Sequence, residues 1–298
     1  MAIIFEPADN DNDLEDYGPF ELALPDPLAC ADGRRVARRE GRPHPSHSSC
    51  AVERDELPAA GVHPLTTFSV ESQPAPCMLF TGRRQSRFGG LSVKTRRMVS
   101  GTGPHELAAW KDLETGSRWI DFDMQTARVA WNSCGVATSY TSDVVALDEA
   151  GVIYVREMKA DASYFLPPDY ASVMEHAASG LALAGTRFEM MSGPTLRGSR
   201  RKRLNVDRAF GDRFTKVSQS AREHVAALLA RTAVSLGEVE EILDADPLLA
   251  RAKAHALLCD RTIAFSLDGV VSRNIEVTAP KLPAFYPDIR SITYNNDN

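Results

Sequence analysis

The most regular alternation of apolar and polar positions begins near residue 104. Pro104 suits the first position of a helix that carries Glu106, with Leu107, Trp110 and Leu113 at helical spacing and Gly116 as its stop. Four strand-like runs follow: RWIDF, ARVAW, ATSYTSDVVAL and VIYVREMK. The last two are separated by Asp-Glu-Ala-Gly, turn chemistry that predicts a hairpin. The helical run DYASVMEHAASGLALAG then leads to a further strand, RFEMM. This element order predicts a compact α/β domain over residues 66–196.

The pattern changes beyond that point. Residues 197–216 hold eight Lys or Arg against two acids and read as an exposed basic linker. Helical signals then resume. Ser220 with Glu223 and Ser235 with Glu238 have capping-box spacing, and Asp246-Pro247 suits the start of a third helix, PLLARAKAHALLC. TIAFSL and VVSRNIEV flank Asp268-Gly269, a hairpin turn signal. Three short helices followed by a hairpin is the order of a winged helix, whose third helix would enter a major groove. The alternative is a helical cap that only packs on the first domain. Residues 197–298 are therefore read as a basic linker and a winged-helix-like domain.

Composition changes this picture in one respect. The 298 residues are 43% hydrophobic, enough to bury a core, and the net charge of −6 argues against a generically basic nucleic-acid binder. Yet residues 1–26 hold eight acids and no Lys or Arg; without them the charge becomes +2. Residues 1–65 lack periodic apolar surface and are expected to form a disordered acidic and polar tail. Residues 83–97, RRQSRFGGLSVKTRR, read as a basic loop suited to a phosphate backbone. The five cysteines are odd in number, widely spaced and form no C-x-x-C pair, which argues against a disulfide framework or zinc ribbon. With no secretory start and no long apolar run, a soluble cytoplasmic protein is expected.

The chemistry concentrates between Tyr140 and Lys159. Residues two apart on a strand share a face, so Glu157 and Lys159 project together, and a hairpin brings Asp143 from the neighbouring strand. Two close carboxylates repel, and a divalent cation with hard oxygen ligands relieves the repulsion. Mg²⁺ is expected, with Mn²⁺ as a substitute, held by Asp143, Glu157, the Met158 carbonyl and Glu106 from the preceding helix. Lys159 would stabilise charge developing on phosphorus. An idle exposed Glu-Lys pair fits less well, because these two charges interrupt the otherwise apolar strand VIYV.

The order Glu106 on a helix, Asp143 on a strand, then Glu157-x-Lys159 resembles the PD-(D/E)xK nuclease superfamily, with Ser142 in place of the Pro. It more closely resembles the TnsA family, endonuclease subunits of heteromeric bacterial transposases. Their Glu-bearing helix, "v..f..QP" segment, "YTPDF" strand and "E-x-K" strand correspond to HELAAWKDLE, WIDFDMQT, YTSDVVAL and VREMK. Gln125 matches the Gln, whereas Thr126, Ser142 and Val144 depart from Pro, Pro and Phe. The resemblance spans residues 83–280. It implies a restriction-endonuclease-like α/β domain with a mixed sheet, followed by a winged-helix-like domain. It also implies Glu106, Asp143, Glu157 and Lys159 as catalytic residues, with Gln125 in support.

The implied reaction is Mg²⁺-dependent hydrolysis of double-stranded DNA at transposon ends, in a bacterial cytoplasm. An integrase-type transposase and an ATPase regulator are the implied partners. Arg83, Arg84, Arg87, Lys94, Arg96, Arg97, Arg197, Arg200, Arg201, Lys202 and Arg203 are the expected DNA contacts. Two other readings stay open: a nuclease of restriction or phage type acting alone, and a non-catalytic DNA-binding assembly subunit.

Overall fold

A computed structural model describes residues 66–73 and 86–295; the expected acidic tail, Arg83 and Arg84 lie outside the described residues. The chain is a mixed α/β protein. Its first half runs β1 (Thr67–Ser72), β2 (Arg87–Leu91), β3 (Met98–Thr102), α1 (Gly103–Thr115), β4 (Trp119–Met124), β5 (Ala127–Ser133), β6 (Val136–Thr141), β7 (Val144–Asp148) and β8 (Ile153–Lys159). Then come α2 (Pro168–Leu183), β9 (Arg187–Ser192), α3 (Gly193–Arg197), α4 (Arg200–Asp212), α5 (Gln219–Leu229), β10 (Val234–Ser235), α6 (Leu236–Leu243), α7 (Pro247–Cys259), β11 (Glu276–Val277) and β12 (Thr293–Asn295).

The period-two runs form two four-stranded sheets. One is wholly antiparallel, in the order β12-β1-β5-β6. The other, β4-β7-β8-β9, is mixed: β8 and β9 run parallel and are joined through α2, while the remaining pairs are antiparallel. Every residue of β7 is buried. Val145 and Leu147 pack with Phe68, Val129 and Leu181, whereas Val144 and Ala146 pack with Trp110, Leu113 and Phe122. Alternate side chains thus fill two cores, one beneath α2 and one beneath α1. Each large apolar group so buried contributes roughly 1.5–3 kcal/mol. A third core joins α4, α5, α6 and α7 through Val206, Val225, Val239 and Leu257.

Several sequence expectations change in the fold. ATSYTSDVVAL is not one strand: the chain turns at Ser142-Asp143 and passes from the first sheet into the second. Of the basic segment over 83–97, residues 87–91 form β2, paired with β3 as a hairpin, whereas residues 92–97, with Lys94, Arg96 and Arg97, are the loop between the two strands. Nor is 197–216 a linker. Ser199 caps α4, which buries Val206 and Ala209 and packs against α1 and α7. The cap of α5 is Ser218 rather than Ser220. Beyond α7, the expected hairpin is reduced to one bridge, Ala264 to Thr278, with β11 pairing back to β10. The chain finally returns to the first sheet, where β12 pairs with β1.

No helix among the described residues is long and apolar enough to cross a membrane.

Candidate functional site

The turn between β6 and β7 creates the site. Ser142 donates its backbone N–H to the Ala127 carbonyl at 2.9 Å, and its Oγ accepts from the Ala127 N–H at 3.3 Å. Those two bonds pin the crossover to β5. A proline at this position could not supply the first donor. Asp143 then donates its backbone N–H to the Arg156 carbonyl at 3.1 Å. Its carboxylate Oδ2 accepts from the Met158 N–H at 2.7 Å, while Oδ1 accepts no hydrogen bond among the described residues. Met158 therefore holds Asp143 through its amide, a bond separate from the metal-ligand role expected of its carbonyl.

Glu106 enters from the first turn of α1. The Thr102 N–H and Oγ1 both donate to its carboxylate at 3.0 Å, and the Gln125 side-chain amide donates at 3.2 Å. Gln125 adopts φ +57, a left-handed conformation that aims its backbone N–H at the Asp143 carbonyl, 3.0 Å away. A side chain other than glycine in this region stores roughly 1–3 kcal/mol of strain, and such strain concentrates at functional sites. Close approach also matters on β3. A Cβ on Gly101 would lie 2.6 Å from Glu106 Oε2 and 2.4 Å from Phe88 Cζ.

Glu106, Asp143, Met158 and Lys159 line one cavity of about 420 Å³, together with Ser86, Thr102, Gly103, Pro104 and His105. The third expected acid does not line it. Glu157 is 4% exposed, and its carboxylate accepts from the Tyr140 and Tyr170 hydroxyls at 2.8 and 2.6 Å and from the Lys159 ammonium. Among the described residues, no three His, Cys, Asp or Glu side chains are gathered as a ready metal site.

The electrostatics are those of crowded acids. Burial, then the Glu157 charge and, more weakly, that of Glu106, push Asp143 up to about 8. Burial also raises Glu106, against hydrogen bonds from Thr102 and Gln125 that favour its ionised form. Burial works against the charged form of Lys159, but hydrogen bonds to Glu157 and Tyr170 outweigh it and hold the ammonium well above its ordinary range. His105 is lowered by burial and by Arg197, and its buried Nδ1 has no hydrogen-bond partner among the described residues. His105 and Tyr140 open the runs HELAAWKDLE and YTSDVVAL, in which the carboxylates alone carry the expected ligand role, and Tyr170 belongs to no short motif.

The expected DNA contacts divide. Lys94 is no surface cation: its ammonium donates to the Gly116 carbonyl at 2.6 Å, and burial lowers it to about 8. Arg97 pairs with Asp121 at 2.6 Å and donates to the Phe122 carbonyl. Lys202 bridges Asp112 and Asp268 at 3.1 and 3.3 Å. These three fasten the fold, because their nearest partners are carboxylates and carbonyls. Arg87 lies on β2 and is half-buried, and Arg203 is likewise half-buried on α4. Arg96, Arg197, Arg200 and Arg201 are exposed, and Arg208 joins Arg201 on the outer surface of α4. Helix α7 offers little to a groove. Its Arg251 pairs with Glu240, and its Lys253 pairs with Asp244 at 2.5 Å.

A scan against known protein-family models finds no match, and no curated protein matches the sequence significantly.

Proposed function

We propose that this protein is a divalent-cation-dependent DNA endonuclease. The observation that carries the reading is the shared cavity, into which Glu106, Asp143, Met158 and Lys159 converge from α1, the start of β7 and the end of β8. A buried and a half-buried carboxylate, each raised by burial and by the Glu157 charge, and Asp143 also by that of Glu106, beside a fixed ammonium are an unfavourable arrangement for a purely structural corner. The donor set fits the cation. Mg²⁺ is ordinarily held by one or two carboxylates and completes its coordination with water and substrate phosphate, and Glu106 and Asp143 offer that number. Bound there, it would polarise a phosphodiester oxygen as a Lewis acid.

The chain's own residues account for the rest. Hydrolysis joins a water oxygen to phosphorus and breaks one P–O ester bond. The Lys159 ammonium supplies a fixed positive charge for the negative charge that develops on the phosphoryl oxygens. Gln125 links Glu106 to the Asp143 backbone and holds the two acid-bearing segments together. Arg197, close enough to His105 to depress it, continues the cationic surface from the cavity towards the exposed face of α4. The order α5, β10, α6, α7, bridge and β11 supports a winged-helix-like arrangement of the C-terminal part. The mixed sheet with α1 against it supports the restriction-endonuclease-like reading of the first part. Resemblance to the TnsA family adds the setting: cleavage at transposon ends alongside an integrase-type transposase and an ATPase regulator.

The test is cleavage of double-stranded DNA with Mg²⁺ or Mn²⁺, alone and with a partner transposase, by the wild type and by Asp143→Ala and Lys159→Ala. Each substitution is expected to reduce cleavage at least about 100-fold. Equal cleavage by all three proteins overturns the assignment. A second reading, a non-catalytic DNA-binding assembly subunit, is favoured by one observation: the carboxylate of Glu157 is already occupied by three donors. DNA binding by the wild type without cleavage under any of these conditions selects it.

A further inference from the structure

We infer that Tyr140 and Tyr170 are positioning residues, which hold the buried carboxylate of Glu157 and, through it, set the ammonium of Lys159 at the cavity.

The argument starts from the cost of burying Glu157. A carboxylate removed from water is destabilised by several kcal/mol unless donors replace its hydration. Glu157 has three such donors from three elements. Tyr140 on β6 gives its hydroxyl to Oε2 at 2.8 Å, and Tyr170 on α2 gives its hydroxyl to Oε1 at 2.6 Å. Lys159, two residues along β8, completes Oε1. Both phenols are themselves fixed. Tyr140 packs edge-on to Phe188 at 5.9 Å, and Tyr170 lies beside Phe165 at 6.3 Å. Burial and the Glu157 charge raise both well above the ordinary phenol range, so each remains a donor at neutral pH.

Lys159 gains most from this frame. A free lysine side chain has roughly 2 kcal/mol of rotamer entropy to lose, so a single acceptor on a mobile carboxylate holds it poorly. Here the acceptor is locked from both sides, and the Tyr170 ring lies 5.1 Å beneath Nζ as a second attraction for the cation. Lys159 lines the cavity, so the group is held where a substrate phosphate can meet it. Tyr140 sits in the wholly antiparallel sheet and Glu157 in the mixed one. The clamp therefore ties the placement of Lys159 to the docking of the two sheets and of α2.

The test uses Tyr140→Phe and Tyr170→Phe, which keep each ring and remove only the hydroxyl. One arm measures acetylation of Lys159 by an N-hydroxysuccinimide ester in the full-length protein, read by mass spectrometry. Release of the clamp is expected to speed labelling several-fold in either variant. The kinetic arm rests on the endonuclease reading. There, kcat for DNA cleavage is expected to fall about 10- to 100-fold, the scale typical of groups that orient a functional ligand, with KM for DNA within about twofold. A merely structural role for the hydroxyls would lower stability without that split. Wild-type labelling rates in both variants overturn the inference. Faster labelling when not even the wild type cleaves DNA supports the clamp and sinks the endonuclease reading instead. Should Tyr140→Phe fail to fold, Tyr170→Phe, half-buried on α2, decides alone.

Discussion

The side-chain amide of Gln125 donates to Glu106 Oε2 at 3.2 Å, from a residue whose backbone is in the left-handed region at φ +57. The same residue donates its N–H to the Asp143 carbonyl at 3.0 Å. One strained residue between β4 and β5 therefore joins the helix acid to the strand acid, at a local cost of roughly 1–3 kcal/mol.

Gln125 should accordingly separate stability from activity. Gln125→Gly removes the side-chain strain and is expected to leave the unfolding free energy unchanged or raised by up to about 1 kcal/mol. DNA cleavage should fall about tenfold or more, because Glu106 loses a donor. Urea melts and cleavage rates on one preparation check this, and a variant with full cleavage would remove Gln125 from the site.

Gly101 is expected to tolerate no side chain. In Gly101→Ala the new Cβ would meet both Glu106 Oε2 and the Phe88 ring inside van der Waals distance. The expected loss is roughly 1–3 kcal/mol of stability, with cleavage impaired beyond that because Glu106 is displaced. Neutral behaviour in a thermal melt would show that the packing between β2, β3 and α1 is looser than described.

Asp143 predicts a pH dependence with a definite sign. Burial and neighbouring acids raise it from 3.8 to about 8 in the folded chain. Between those values the unfolded chain releases the proton while the folded chain retains it, so stability is lost as pH rises through the window. Wild type should lose about 1 kcal/mol or more between pH 5 and pH 8 relative to Asp143→Asn. Mg²⁺ at the upper pH should restore the wild type and not the variant. Parallel curves with and without Mg²⁺ would contradict the cation assignment.

The divided fates of the basic residues predict divided salt effects. Arg201→Ala and Arg208→Ala, on the exposed face of α4, should each lower the salt dependence of DNA binding by about one phosphate contact. Arg97→Ala should leave that slope unchanged. It should instead destabilise the fold by about 1 kcal/mol or more, because Asp121 and Asp123 lose their partner. Equal slopes for all three variants would move DNA binding away from α4.

Local rules carried much of the chain. Pro104, Gly116 and the apolar positions between them yield α1, and Ser235 with Glu238 forms the expected capping box. The hairpin after Asp148, the helix over Pro168–Leu183 and the strand over Arg187–Ser192 likewise follow from periodicity and turn residues. Local pattern fails to decide the fold where one pattern has two outcomes. Eight cations over 197–216 read as solvated linker, yet Val206 and Ala209 recur on one face and bury a helix there. The continuous strand pattern across Ser142 concealed a change of sheet, because alternation reports only which face a residue occupies.

The sequence by itself determined which residues are candidates for the proposed chemistry: Glu106, Asp143, Glu157 and Lys159 stand out by residue type and spacing. Tertiary structure alone decided how they are arranged. Glu106 and Asp143 share the cavity with Lys159, whereas Glu157 is withdrawn onto two tyrosines. The physical reason is reach. A motif specifies spacing along one strand, but the donors that satisfy a buried carboxylate come from β6 and α2, brought within hydrogen-bond distance only when two sheets and a helix pack together.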